Sequence, residues 1–290
     1  MTDLTRTLAD HGAVTSRKYE FTGETRQFLG RPLRRIRARS SFGDVTAGDL
    51  GGWIESEGNL AQSGAAWVLG NAQVYGDARV LGNAQVYGAA RVYGAARVSG
   101  AARVSGAARV SGAARVSGDA WVSGAAWVLG NAQVYGNAQV YGDAQVLGNA
   151  QVYGDAWVYG DARVSGAARV SGDARVYGDA RVSGAARVSG DAWVSGAAQV
   201  SGAARVSCAA HLCHIGPIGS RHAFLTVVRD ATLGLRFTTG GFSGSRAEFS
   251  SAVAAKHEEG SIPRIEYDAA IALIDAWSRA HSHEMSMEAS

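Results

Sequence analysis

Residues 64 to 87 read GAAWVL-GNAQVY-GDARVL-GNAQVY, and the same six-residue unit continues to Ser207. Written generally it is Gly-[Ala/Asp/Asn]-Ala-[Arg/Gln/Trp]-Val-[Ser/Tyr/Leu], repeated 24 times without a phase error. Val falls at 68, 74, 80 and onward to 206, and Ala stands two positions before each Val. Ala-x-Val is a period-2 strand with both small apolar side chains on one face. Gly followed by Ala, Asp or Asn then supplies a corner, because Gly tolerates backbone conformations that other residues resist. An α-helix fails: Val at a six-residue spacing rotates around a 3.6-residue helix, and Gly in every turn and a half costs roughly 1 kcal/mol each. A flexible Gly/Ala linker has no reason to hold Val in register over this length.

What remains is a solenoid. The pattern resembles the hexapeptide repeat of left-handed parallel β-helices, in which three hexads complete one coil. Eight 18-residue coils follow, about 38 Å long at the spacing of neighbouring strands. Burying 24 valines at about 1.5–3 kcal/mol each can offset the ordering of such a chain, whereas one coil alone cannot. The chain is thus read as an all-β solenoid at 64–213, preceded by a β cap at 17–63 and followed by a small α+β domain at 214–290. Residues 1–16 are expected to be disordered, and the C-terminal tail mobile.

Composition agrees with a repeat protein and excludes several classes. The 290 residues include 39 Gly but only 3 Pro, 7 Phe, 3 Met and 2 Cys. No apolar run is long enough for a transmembrane helix. The opening MTDLTRTLADHG carries acids and lacks an apolar h-region, which points to the cytoplasm. Two cysteines build no disulfide framework. A net charge of +3 gives no case for nucleic-acid binding.

Ahead of the repeat, Lys18–Phe21 and Leu33–Ala38 read as two hairpin strands around Gly23 to Gly30. The run FGDVTAGDLGGWIE (42–55), with Asn59-Leu60 and Gly64-x-x-Trp67-Val68, is similar to the start of the YdcK-like hexapeptide-repeat acetyltransferases, and related repeats occur in phage proteins. The resemblance covers about residues 17–207 and implies a left-handed β-helix; activity has to be argued from a site. Further on, HIGPIGSR (214–221), Thr226, TGGF (239–242), Gly244, Glu248-Phe249, His257 and Glu266-Tyr267 are similar to a small domain of phage-associated proteins of unknown role. From the residues themselves, 223–228 and 235–239 read as strands. Ser245-x-x-Glu248 is a capping box opening a helix to about His257, and a second helix runs from about 265 to 279.

The resemblance to hexapeptide acyltransferases implies a histidine general base near a coil face and a loop interrupting the prism. Residues 64–207 contain neither, and all seven histidines lie outside them. An acyltransferase site, with acyl-CoA as its cofactor, would have to use His211 or His214 at the C-terminal junction. Cys208, His211, Cys213 and His214 also invite a zinc reading. The repeat frame points the two cysteines apart, however, and no metal is assigned. The Gly-rich loops at 216–221 and 240–244 are ordinary turns or an anion site built from Gly216, Gly219, Ser220, Arg221 and Arg246, able to take a phosphorylated small molecule. The arginine run from Arg31 to Arg39 reads as a solvated strand face.

Taking every eighteenth residue sorts the outward positions into faces. One presents Trp121, Tyr141, Trp157, Tyr159, Tyr177 and Trp193, an aromatic surface suited to self-association or to a protein or glycan partner; stacking that merely stabilises adjacent coils is the alternative. Another carries Arg79, Arg97, Arg115, Gln133, Gln151, Arg169, Arg187 and Arg205. That face is either laced with ion pairs to the corner aspartates or a track for an anionic polymer. The functional expectation is a non-enzymatic rigid scaffold or assembly module, with acyl transfer near the junction and anion binding by the C-terminal domain as alternatives.

Overall fold

The computed structural model describes residues 17–282; the expectations for 1–16, for His11 and for the tail beyond 282 lie outside the described residues. Each hexad forms a two-residue strand, β4 to β27, from Trp67–Val68 to Arg205–Val206, one residue shorter than the Ala-x-Val reading. The strands sort into three parallel sheets, each with eight repeat strands. Register is the predicted 18 residues, with Arg103 opposite Trp121 and Val104 opposite Val122. Every repeat valine and its partner alanine is at most 1% exposed, so the core is a continuous column of Ala and Val. Coils are joined by backbone bonds to the next turn, such as Asp119 N–H to Gly136 O, Trp121 N–H to Ala138 O and Ser123 N–H to Val140 O, each 2.9 Å. The corner glycines stack as well: Gly118 adopts φ +70°, and a Cβ there would meet the backbone N and O of Gly136 at 2.9 Å.

The solenoid begins earlier than the repeat. Strand β3, Leu50–Ile54, pairs in parallel with Gln73–Val74, and Leu60 bridges Val80. Ile54 and Leu60, both at most 1% exposed, take the valine role in a ninth, irregular turn. Its offset of 20 residues from the following coil hides it from a strict six-residue search. Asn59, 1% exposed, holds this turn together. Its Oδ1 accepts from the Glu55 and Ser56 amides, and its Nδ2 donates to Gly76 O and Ala78 O.

β1, Tyr19–Phe28, and β2, Arg31–Ala38, form the N-terminal hairpin and extend one sheet to 11 strands through β3. The turn is Leu29-Gly30, both at positive φ, while Gly23 sits in a register shift between Phe21 and Thr25. Both strands therefore run longer than expected from the sequence. The basic run is engaged rather than merely solvated. Arg31 pairs with Glu55 and Arg35 with Glu24, both at 3.0 Å, and the Arg34 guanidinium lies over the Phe21 ring.

The C-terminal unit is an antiparallel sheet of β28 (Leu212–Ile218), β29 (Ala223–Asp230), β30 (Gly234–Thr239) and β31 (Phe242–Gly244), followed by α1 (Arg246–Lys256) and α2 (Ile262–Ala280). Two of these strands were not expected. Leu212 keeps the valine phase but leaves the solenoid to open β28, after a short 3-10 turn at Ala209–His211. The capping box is formed, with the Ser245 side chain accepting from the Glu248 amide. Pro263 in the first turn of α2 starts that helix earlier than its apolar face suggests.

Strand alternation makes β29 serve two cores. Leu225 and Val227 join Phe237, Phe249, Tyr267 and Ile274 beneath the helices, whereas Val228 belongs to the solenoid core. On that same side Thr226 Oγ1 accepts from the Gln199 amide at 3.1 Å, and Asp230 bridges Ala204. Asp230 is paired with Arg236 at 2.8 Å, whose guanidinium fills the space beside Gly202. The last coil is thereby covered, which removes an open edge that would otherwise template pairing with another chain.

Candidate functional site

The junction histidines are packed against their neighbours. His211 is 1% exposed, with Nδ1 within hydrogen-bond reach of the Ser207 amide and hydroxyl. His214 stacks on Phe224 with ring centroids 4.7 Å apart, and its Nδ1 meets Thr226 Oγ1 at 3.1 Å. Burial pushes its pKa below the ordinary imidazole value, and its Nε2 is enclosed without a partner. Cys208 and Cys213 are free thiols. Burial raises the Cys213 pKa, away from the thiolate that a metal needs, and no group of three or more potential ligands forms among the described residues.

The aromatic positions do share one sheet, whose strands run from Trp67 through Gln85, Arg103, Trp121, Gln139, Trp157 and Arg175 to Trp193. Beside it, Tyr141, Tyr159 and Tyr177 stack face to face at 4.9 and 5.0 Å with nearly parallel rings, because the separation of neighbouring coils matches the stacking distance. Their faces are therefore occupied by one another. Tyr141 meets Trp157 edge-on at 6.5 Å. Arg175 lies between two tryptophans, 4.9 Å from the Trp157 ring and 5.2 Å from that of Trp193. Trp193 is 56% and Trp121 42% exposed; Trp121 Nε1 donates to Ser105 Oγ. The surface is thus one aromatic-cationic stack plus a separate Trp121, not an unbroken sheet of open ring faces.

The arginine ladder also occupies one sheet, Arg79 to Arg205 in the expected order. The expected lacing by ion pairs is absent: among the described residues no repeat arginine pairs with a corner aspartate. Arginine projects from the flat of the sheet and aspartate from its corner. The corners bond among themselves instead, as Asn137 Nδ2 does to Asp155 Oδ1 at 2.9 Å.

In the C-terminal unit the two Gly-rich loops converge on a cavity of about 280 Å³. Of the anion-site candidates, Ser220 and Arg221 line it. Gly219 does not: its amide donates to Glu266 Oε2 at 2.6 Å, and its Cα abuts the Tyr267 ring. Gly216, in a cis bond to Pro217, packs on Phe224. Arg246 is held by both carboxylate oxygens of Asp275. Thr239, Lys256, His257 and Tyr267 take the vacated places in the lining. Lys256 and His257 were missed because only the end of α1, packed over the β30–β31 turn, brings them near Arg221.

The repeat matches the family described as "YdcK Beta solenoid repeat" at 72–88, 84–100 and 132–148 and in six overlapping segments between 150 and 202. These are YdcK β-solenoid repeats. A protein of Escherichia coli strain K12 described as "Uncharacterized acetyltransferase YdcK" is 43% identical over 60 residues, 18% of this chain and 18% of that protein. The homology to YdcK is distant and partial, and the match spans under a fifth of its length.

Proposed function

We propose that this protein is a rigid, non-enzymatic scaffold that holds two different ends at a fixed separation and assembles through its aromatic face. The observation that carries this reading is the unbroken register: eight repeat strands in each of three sheets, with no inserted loop, covered at one end by the hairpin and at the other by β29. A solenoid of this kind is a ruler whose length is set by the number of coils. Trp121 and Trp193 give its surface apolar anchors of the type that carry interface energy. Acyl transfer takes support from the description of the E. coli relative alone, since His211 and His214 are both engaged in packing.

The test is light scattering at two protein concentrations and two salt levels, with Trp121, Trp157 and Trp193 replaced together by Ser. A salt-insensitive oligomer that dissociates in the triple variant is expected. A monomer under all conditions, or acetyl-CoA turnover lost in His214→Ala, overturns the reading.

A further inference from the structure

The cavity of the C-terminal unit lies away from the solenoid faces and plays no part in covering the last coil. Its wall is apolar and aromatic, contributed by Phe242, Phe249 and Tyr267, while Arg221 and Lys256 stand at its rim. Neither cation makes an ion pair among the described residues. Here two cations flank an aromatic cavity, and the Glu266 carboxylate, which also acts on Tyr267, is tied to the Gly219 amide. Thr239 also lines the cavity. It is 7% exposed, yet its Oγ1 has no hydrogen-bond partner. An unpartnered buried hydroxyl is destabilising and is retained where something else bonds to it.

We infer that this cavity binds a small organic oxyanion, a phosphate or carboxylate carried on a planar ring, with the anion between Arg221 and Lys256, the ring against Phe242, Phe249 and Tyr267, and Thr239 Oγ1 bonded to the ligand. The volume, near the lower end of ligand sites, limits the ligand to about the size of one substituted ring. Charge-assisted contacts to guanidinium and ammonium select the anion, and the aromatic wall selects the ring.

The test uses the full chain and isothermal titration with phenyl phosphate and phenylacetate, alongside inorganic phosphate and benzyl alcohol. Saturable binding of at least one aromatic anion at millimolar concentration or below is expected, with inorganic phosphate and benzyl alcohol each at least tenfold weaker. The aromatic anion that binds more tightly tells phosphate from carboxylate. Arg221→Gln and Lys256→Gln should each weaken binding about tenfold, while Arg169→Gln on the solenoid leaves it unchanged. Thr239→Val is the sharper variant: it should weaken binding severalfold while leaving the melting temperature unchanged or higher, the reverse of a purely structural hydroxyl. The inference is overturned if neither aromatic anion binds, if the anion or the ring alone binds equally well, or if Arg221→Gln, Lys256→Gln and Thr239→Val all bind as the parent does.

Discussion

Gly118 and Gly70 occupy equivalent corners with similar backbone, φ +70° and +60°, and differ in what lies beyond them. A Cβ on Gly118 would sit 2.9 Å from the backbone N and O of Gly136 and 3.2 Å from its Cα, whereas at Gly70 the nearest atom is Gly88 O at 3.9 Å. Alanine at either position carries the left-handed penalty, about 1–2 kcal/mol. At Gly118 it also forces two backbone corners apart, and overpacking of that kind adds about 1–3 kcal/mol. Gly70→Ala should therefore destabilise by about 1–2 kcal/mol and Gly118→Ala by about 2–5 kcal/mol. Long repeat arrays need not unfold in one step, so the readout is amide hydrogen exchange at the coil-to-coil bonds, Asp119 N–H and Trp121 N–H for Gly118→Ala and Gln73 N–H for Gly70→Ala. Equal losses of protection in the two variants would refute the claim that stacked corners, rather than backbone conformation alone, demand glycine.

Arg175→Ala removes two cation–π contacts and should destabilise its coils by about 1–2 kcal/mol, with a change in tryptophan emission that Arg175→Lys partly restores. Lys18 is buried, its Nζ donating to Ala66 O at 2.8 Å, and burial lowers its pKa from 10.5 to about 8. The folded state then binds fewer protons than the unfolded chain above pH 8, so cap stability should rise from pH 8 toward 10, where Tyr19 begins to titrate in the unfolded state. Denaturant titrations of the parent and Lys18→Met across that window check it; a Met variant with the same slope would contradict the assignment. For Asp230, burial alone would raise the pKa, but the Arg236 bond and the Thr232 and Leu233 amides outweigh it and hold it below 3.8. Its contribution is thus present above the unfolded value and lost as pH falls through the folded one, so hydrogen exchange in β29 should accelerate first in acid. Asp230→Ala should cost about 3 kcal/mol there at neutral pH, because it strands Arg236.

The solenoid was legible because its physics is local and repeated. Ala and Val in fixed phase with a glycine corner admit one packing, and the eighteen-residue sorting placed Trp157, Arg175 and Trp193 on one sheet as observed. The ninth turn escaped because Asn59 replaces repeat chemistry with side-chain bonds to the next coil, and the Leu60-to-Val68 spacing breaks the phase. What outward side chains do to one another was not legible. A residue list gives an aromatic surface, whereas the coil spacing turns tyrosines into a closed stack and inserts Arg175 between tryptophans. At the C-terminal end, Arg221 was recognised, but Gly219 and Arg246 were assigned to an anion when Glu266 and Asp275 already hold them. Those partners lie on α2, 47 and 29 residues away in the chain, beyond the reach of a loop motif.

The central claim is that this is a rod built from interchangeable 18-residue coils. Deleting 100–117, three Gly-x-Ala-Arg-Val-Ser units that make up one coil, keeps every outward ladder in register and should shorten the particle by about 5 Å. Small-angle scattering of the parent and the deletion variant measures this directly. A maximum dimension reduced by that amount, with unfolding as cooperative as in the parent, is the predicted result. An unchanged length, or a variant that aggregates or loses its β signature, would contradict the account.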